Sequence, residues 1–359
     1  MIDSLRDKID AIDIKLIKLL EERMNIVKEV ADYKLENNLI VNDSAREEEI
    51  ISRTAGSLKD FEYKDDILLL MKEIFKNSKN IQNRYIDNES IGYQGTQGSY
   101  SEEMAMAYFG DNCNRMNYET FKDVFNALEE NEITYGVLPI ENSSTGAIKE
   151  VYDLLIKHGF YIAGEYNLKV DHHLIGIKGT NLDEIKEVYS HPQGIEQCNH
   201  FLSYYPDWQK INFLNTASSV KYVSQKQDKS IAAIGSRRAA QIYNLSILKE
   251  NINDNKVNTT RFIVLKRKME IDDSHNKISL VFTTPHKAGA LYDILGVFAK
   301  YKISMVKIES RPIKHQVGKY YFFVDIEGHL KAENVSKALA EINDNQSYFK
   351  ILGNYRKTE

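Results

Sequence analysis

From the N-terminus to about Lys34 the chain runs without a glycine or a proline. Its apolar residues recur in steps of three and four at Leu5, Ile9, Ile12, Leu16, Leu19, Val27 and Val30. That spacing specifies one long amphipathic helix. A helix of this length spans ~50 Å, too long to be covered by the two shorter helical segments expected at 43 to 54 and 64 to 85. A second copy of the chain is expected to cover the rest of the stripe.

The stripe also carries charge. On a wheel of 100° per residue, Arg23 and Lys34 fall in the arc of Leu5, Ile9, Ile12, Leu16 and Val27. They point the same way with about 16 Å between them, while Arg6 lies to one side, placed to reach a neighbouring subunit's pocket. In the third segment Ser78 and Gln82 interrupt the stripe of Ile67, Met71, Ile74, Ile81 and Tyr85. In the second, Asp43 is a good N-cap, and Glu47 shares a face with Ile50 and Thr54 beside Arg46. One cation on such a stripe can run its stem along the helix and keep its head in water. Arg23, Lys34, Ser78 and Gln82 together favour a shared pocket for an anionic ligand, because an isolated charge facing a core costs several kcal/mol.

The run from Leu5 to Ile50, LRDKIDAIDIKLIKLLEERMNIVKEVADYKLENNLIVNDSAREEEI, resembles the helical chorismate mutase family. The resemblance implies an all-α domain over 1–87, an intertwined dimer in which Arg6 crosses to the partner's site, and chorismate as a substrate that rearranges without cofactor or proton transfer. It assigns Lys34 and Gln82 to the ether oxygen, Arg6 and Arg23 to the carboxylates and Glu47 to the ring hydroxyl. Asp43 is a further substrate position, and Arg46 and Ser78 complete the lining.

A length of 359 residues calls for more than one hydrophobic core. The balance of 47 basic against 52 acidic residues offers no general field for nucleic acid or anionic lipid, so any anionic ligand is expected to meet local cations. Cys113 and Cys198 stand too far apart for a CxxC site and do not suggest a disulfide framework, which fits a reducing cytoplasm. The charged N-terminus has no signal-peptide core, and no apolar run reaches membrane length.

After Asn88 short apolar runs alternate with helical stretches, an α/β pattern that continues to about Lys268, and KRKMEIDDSHN at 266 to 276 is expected to be a linker. Four motifs stand out. In GYQGTQGSYSEE, Ser99 and Glu102 have capping-box spacing after a glycine turn, which offers helix amides to a carboxylate. GVLPIENSSTG ends an apolar strand in Glu141 and Asn142. YSHPQGIEQ carries Ser190, His191 and Gln197, and NTTRFIVL sets Thr260 and Arg261 ahead of a strand. His172 and His173 would point to opposite faces of a strand and no Cys or carboxylate is suitably spaced, so no metal site is expected. No GxSxG occurs.

In this order the four motifs resemble the prephenate dehydratase family, which implies a domain over 88–268 with two α/β lobes like those of periplasmic-type ligand-binding proteins and a site in the cleft between them. Prephenate would lose CO2 and hydroxide as its ring becomes aromatic. Thr260 is then the expected contact of the departing hydroxyl and Arg261 an electrostatic anchor, with Asn142, Ser190 and Gln197 as cleft residues. Glu141 could act as the acid only if burial raises its pKa, and the residues alone leave Glu141 and Thr260 open.

From Lys277 the expected order is βαββαβ, a ferredoxin-like α+β arrangement without an acid/base constellation. GALY at 289 to 292 and ESRP at 309 to 312 resemble the ACT domain, here over 274–359. That domain binds L-phenylalanine between two copies, and Gly289, Ala290, Leu291, Glu309, Ser310, Arg311 and Pro312 are the matching effector positions. Mutase, dehydratase and ACT in series is the order of the bifunctional P-protein family of phenylalanine biosynthesis. It implies a cytoplasmic multidomain enzyme, a homodimer or a tetramer of such dimers, with no cofactor. The competing reading is a non-catalytic ligand sensor, or an enzyme with one active domain.

Overall fold

Helix α1 (Ile2–Glu36) is followed by α2 (Ser44–Ser57) and α3 (Lys64–Ile86). In this computed structural model the described residues are 2–36, 44–58, 61–86, 89–111, 113–313, 316, 318–344 and 347–358. They form two compact units: one runs to Ser90 and includes Glu130–Ile133, and the other comprises Ile91–Glu129 and Thr134–Glu359. In the first, α3 packs on the second half of α1, where Val27, Ala31 and Phe75 are buried. The first half of α1 meets no such cover: Leu5 and Ile12 are 54% and 62% exposed within one chain.

The second unit begins with a lobe of alternating strands and helices. Its elements are β1 (Ser90–Gln94), α4 (Tyr100–Phe109), β2 (Asn114–Tyr118), α5 (Phe121–Glu129), β3 (Tyr135–Asn142), β4 (Gly146–Ala147), α6 (Lys149–His158) and β5 (Tyr161–Lys169). The chain then crosses to a second lobe made of β6 (His173–Gly176), β7 (Glu187–Ser190), α7 (Pro192–Glu196), α8 (Asn199–Leu202), β8 (Gln209–Asn212), α9 (Thr216–Lys226), β9 (Ile231–Gly235), α10 (Arg237–Ile242) and β10 (Ser246–Lys249). It crosses back as β11 (Thr259–Lys266), which inserts antiparallel between β3 and β5. The first sheet has the order β2-β1-β3-β11-β5 with β4 on β3, and the second β10-β6-β9-β7-β8. Two sheets joined by two crossings make the two-lobe architecture with a cleft between.

The remaining elements are β12 (Lys277–Thr283), α11 (Ala290–Lys300), β13 (Met305–Pro312), β14 (Tyr320–Glu327), α12 (Glu333–Asn343) and β15 (Phe349–Tyr355). This is the expected βαββαβ order, in an antiparallel sheet β13-β14-β12-β15. One face of the sheet makes a core with the helices through Leu280, Phe298, Val324 and Leu339. The other packs on the first lobe, so closely that a side chain at Gly353 would collide with the Ile162 carbonyl of β5. Strand β11 is therefore covered on both faces, which explains its nearly unbroken burial.

Candidate active sites

In the helical unit the structure brings Arg23 and Ser78 together. The Arg23 guanidinium donates to Ser78 Oγ, and its Cζ stands 5.8 Å from the centre of the Phe75 ring. Burial holds the Arg23 pKa below its ordinary value. Ser78 is buried and donates back to the Ile74 carbonyl at 2.6 Å, as serine does inside a helix. Lys34 is half-buried in the last turn of α1. Arg6 is exposed beside Asp3 at 3.5 Å, and Arg46 pairs with Glu49 at 2.6 Å on the surface. Asp43 and the side chains of Glu47 and Gln82 lie outside the described residues. A groove of about 570 Å³ between α1 and α3 is lined by Leu20, Met24, Glu21 and Glu73. Its carboxylates make it unsuited to an anion.

In the second unit a cavity of about 410 Å³ opens between the lobes. Thr260 and Phe262 of β11 reach it from below, Asn142 closes the end of β3, and Gln197 follows α7. Residues two apart on a strand share a face, so Thr260 and Phe262 line the cavity together. Asn142 Nδ2 donates to Thr260 Oγ1 at 2.9 Å. Ser190 is buried beneath Gly194, where its hydroxyl donates to the Ile234 carbonyl at 3.1 Å; it supports the wall.

No lysine or arginine is among the described residues lining this cavity. Two helix N-termini open there instead. Ser99 and Ser101 begin α4, and Asn215 and Thr216 begin α9. Unpaired amides and the helix dipole at such ends favour carboxylates by about 0.3–2 kcal/mol each. The glycine turn before α4 has a structural reason: Gly98 has φ +86°, and a Cβ there would meet the Ala239 backbone. The capping box at Ser99 forms by half. Ser99 Oγ accepts from the Glu102 amide at 3.3 Å, but the Glu102 carboxylate turns to the Gly98 amide at 2.7 Å and to Arg115 and Arg238.

Glu141 and Arg261 do not join the cavity. Each neighbours a residue that does, and strand alternation turns it to the opposite face, toward the C-terminal sheet. Glu141 pairs with Lys307 of β13. Arg261 lies in a buried cluster with Glu165 (2.7 Å) and Asp325 (2.7 Å), and Lys277 meets the same Glu165 carboxylate at 2.7 Å. Ser279 and Tyr355 complete the cluster through bonds of 2.5 Å to Asp325 and 3.1 Å to Arg261. Burial alone would lower the pKa of Arg261, but Asp325, Tyr355 and Glu165 drive it up; burial alone would raise that of Asp325, but Arg261 and Lys277 hold it down.

The effector positions fall on two elements of the C-terminal region. Gly289, with φ +81°, caps α11, whose first residues Ala290 and Leu291 pack inward. Glu309, Ser310, Arg311 and Pro312 end β13 at a sheet edge. Ser310 and Pro312 are exposed, while Arg311 reaches Asp153 of α6 at 3.2 Å.

His172, weighed in the sequence only as a metal ligand, lines the cavity, and Asn258, which no motif reading singled out, stands beside it; both are hydrogen-bonded to Gln197. Asn258 shares the face of Thr260 by alternation, a signal present in NTTRF.

Residues 5–83 match the family model of chorismate mutase type II, 91–270 that of prephenate dehydratase and 278–344 that of the ACT domain. A bifunctional chorismate mutase/prephenate dehydratase of Escherichia coli (strain K12) is 34% identical over 98% of this chain and 95% of its own. A solved prephenate dehydratase of Arthrobacter aurescens, in complex with L-Phe, is 26% identical with a TM-score of 0.69, covering 75% of this chain and 90% of that one. A structure described as a novel type of quorum-quenching acylase is 28% identical with a TM-score of 0.68, covering 75% and 98%. With three family models in this order and a relative alike along its whole length, the chain belongs to the bifunctional chorismate mutase/prephenate dehydratase family.

Proposed function

We propose that the helical unit converts chorismate to prephenate, that the two-lobe cleft converts prephenate to phenylpyruvate, and that L-phenylalanine bound at the C-terminal sheet inhibits the second step. The observation that carries this reading is Thr260 at the cleft: a hydroxyl whose oxygen is occupied by an amide donor, in a cavity with two helix N-termini.

Chorismate rearranges within itself, so the helical site acts by holding the compact conformer and placing positive charge where the breaking ether oxygen gains negative charge. Lys34 and Gln82 serve that oxygen. Arg23, held by Ser78, binds a carboxylate, as does Arg6 from a second copy, and Glu47 takes the ring hydroxyl, with Asp43 and Arg46 at the margin. The bare first half of α1 supports the homodimer this needs.

In the cleft the C–O and C–CO2 bonds of prephenate break as the ring gains aromaticity. Hydroxide and CO2 leave, and phenylpyruvate remains. Aromatisation drives the step, so the site needs a donor to the departing oxygen and anchors for two carboxylates. Thr260 is the donor; the amides opening α4 and α9 are the anchors, a role the resemblance gave to Arg261. Asn142 and Gln197 hold the wall. Effector would bind between two copies at Gly289, Ala290, Leu291 and the Glu309–Pro312 edge. Among the described residues no helix is long and apolar enough to cross a membrane, and two unpaired cysteines suit a reducing cytoplasm.

Purified protein given chorismate alone tests the reading. Phenylpyruvate should form and be suppressed by L-phenylalanine. Prephenate accumulating would leave the mutase only, and no turnover would favour a ligand sensor.

A further inference from the structure

The amide orientations around Thr260 are forced from one end. Asn142 Oδ1 faces the backbone amides of Ser144 (2.9 Å) and Thr145 (3.3 Å), which can only donate. Its Nδ2 is therefore turned to Asn258 Oδ1 (2.8 Å) and Thr260 Oγ1 (2.9 Å), with the Thr259 carbonyl a longer third acceptor at 3.3 Å. An amide nitrogen cannot accept, so Thr260 Oγ1 accepts and its own proton is left for the cavity. Asn258, with its oxygen committed, donates through Nδ2 to Gln197 Oε1 at 3.1 Å. Gln197 Oε1 also meets His172 Nε2 at 2.8 Å, and Gln197 Nε2 returns to Asn142 Oδ1 at 3.4 Å, closing a ring of three amides.

His172 fixes the ring from behind. Because Gln197 Oε1 is an acceptor, Nε2 of His172 carries a proton. Nδ1 meets the Tyr100 hydroxyl at 2.9 Å, whose one proton also faces the Asp171 carbonyl at 2.8 Å. His172 is 2% exposed, and burial lowers its pKa, aided by His173 and opposed by Gln197 and Asp171. Burial therefore favours the neutral ring. His172 and Asn258 also sit on the two chain crossings between the lobes, and those crossings bind each other: Val170 donates to the Asn258 carbonyl at 2.8 Å and Ile252 to the His172 carbonyl at 2.9 Å. The ring hangs on the segments that join the lobes.

We propose that His172 and Asn258 are positioning residues of the dehydration, holding Gln197 and Asn142 in the one orientation that leaves the Thr260 proton directed at the departing hydroxyl. This rests on the reading of Thr260 as donor. His172 edges the cavity, and Asn258 is not among the residues that line it. A hydroxyl free to turn toward Asn142 would lose that direction, and misdirected groups cost on the order of 10- to 100-fold in rate.

Steady-state dehydration of prephenate by the full chain tests it, with His172→Phe, His172→Gln, Asn258→Asp and Thr260→Ala beside the parent. His172→Phe should lower kcat about tenfold or more with KM little changed. His172→Gln places an amide donor where Nε2 stood and should recover kcat to within about threefold, with the parent's pH profile. Asn258→Asp keeps size but loses the donor to Gln197, and should fall like His172→Phe; it decides the matter if thermal unfolding shows that His172→Phe does not fold. Parent kcat in His172→Phe or Asn258→Asp overturns the proposal. So does a His172→Gln variant as slow as His172→Phe that has lost one limb of the pH profile, which would make His172 the proton donor. Thr260→Ala at parental rate would sink the reading of Thr260 itself. Inactive Thr260→Ala beside parental His172→Phe would sink only the positioning role.

Discussion

Thr260 and Arg261 are consecutive on β11 and face opposite ways: the Thr260 hydroxyl lines the cleft cavity, and the Arg261 guanidinium meets Asp325 of the C-terminal sheet at 2.7 Å. One peptide bond separates the cleft cavity from the charge cluster that joins the first lobe to the C-terminal sheet.

The cluster makes Arg261 a residue of the joint. Replacing it with Met leaves Glu165 and Asp325 buried against Lys277 alone. Losing one partner of a buried ion pair costs about 3–5 kcal/mol, so the second unit should unfold at markedly lower denaturant. An Arg261→Met protein with parental stability and lost turnover would return Arg261 to the cleft.

Strand β13 offers a route for regulation. It carries the ESRP edge, and its Lys307 holds Glu141, the neighbour of Asn142. Lys307→Met should leave uninhibited dehydratase turnover within about twofold and weaken inhibition by L-phenylalanine several-fold, since coupling energies run to about 1–3 kcal/mol. Unchanged inhibition would place the route elsewhere.

Stability should fall with acid in two stages. His172, His173 and His191 are held below the ordinary histidine pKa by burial, so the unfolded chain takes up protons first as pH drops below about 6.5. Asp325, depressed by Arg261 and Lys277 against its burial, contributes stability above about pH 3.9 that is lost below it as its folded pKa is approached. Asp325→Asn should flatten the second stage of a denaturation series against pH and leave the first.

Lys34→Ala should cut mutase turnover about 100-fold or more, the usual cost of removing a donor from a developing oxyanion. Dehydration of added prephenate should be unchanged. Equal loss of both activities in a folded variant would argue against separate sites.

The wheel made Arg23 legible, because a cation among leucines on a helix has few explanations, and Ser78 did meet it. Periodicity also marked the long helix and the βαββαβ order. Family resemblance drew Thr260, Asn142 and Gln197 together, residues more than a hundred positions apart in part. Glu141 and Arg261 were misplaced because both stand beside a cleft residue, and a motif read as a block hides the alternation that sends neighbours to opposite faces. Arg261 could not be matched to Asp325 from sequence, since the pairing exists only once two sheets pack. That two helix N-termini open at the cavity was hidden for the same reason: which amides converge is a property of the tertiary fold. His172 was weighed only as a metal ligand and set aside, and its bond to Gln197 depends on how the crossings meet.

One hydroxyl, Thr260, is proposed to serve the second reaction and to leave the first untouched. The direct measurement is a time course of the full chain carrying Thr260→Ala, given chorismate, with prephenate and phenylpyruvate followed together. Prephenate should accumulate to the full amount of chorismate consumed, at the parental rate, with phenylpyruvate reduced at least about 100-fold. Phenylpyruvate formed as fast as by the parent would contradict the account.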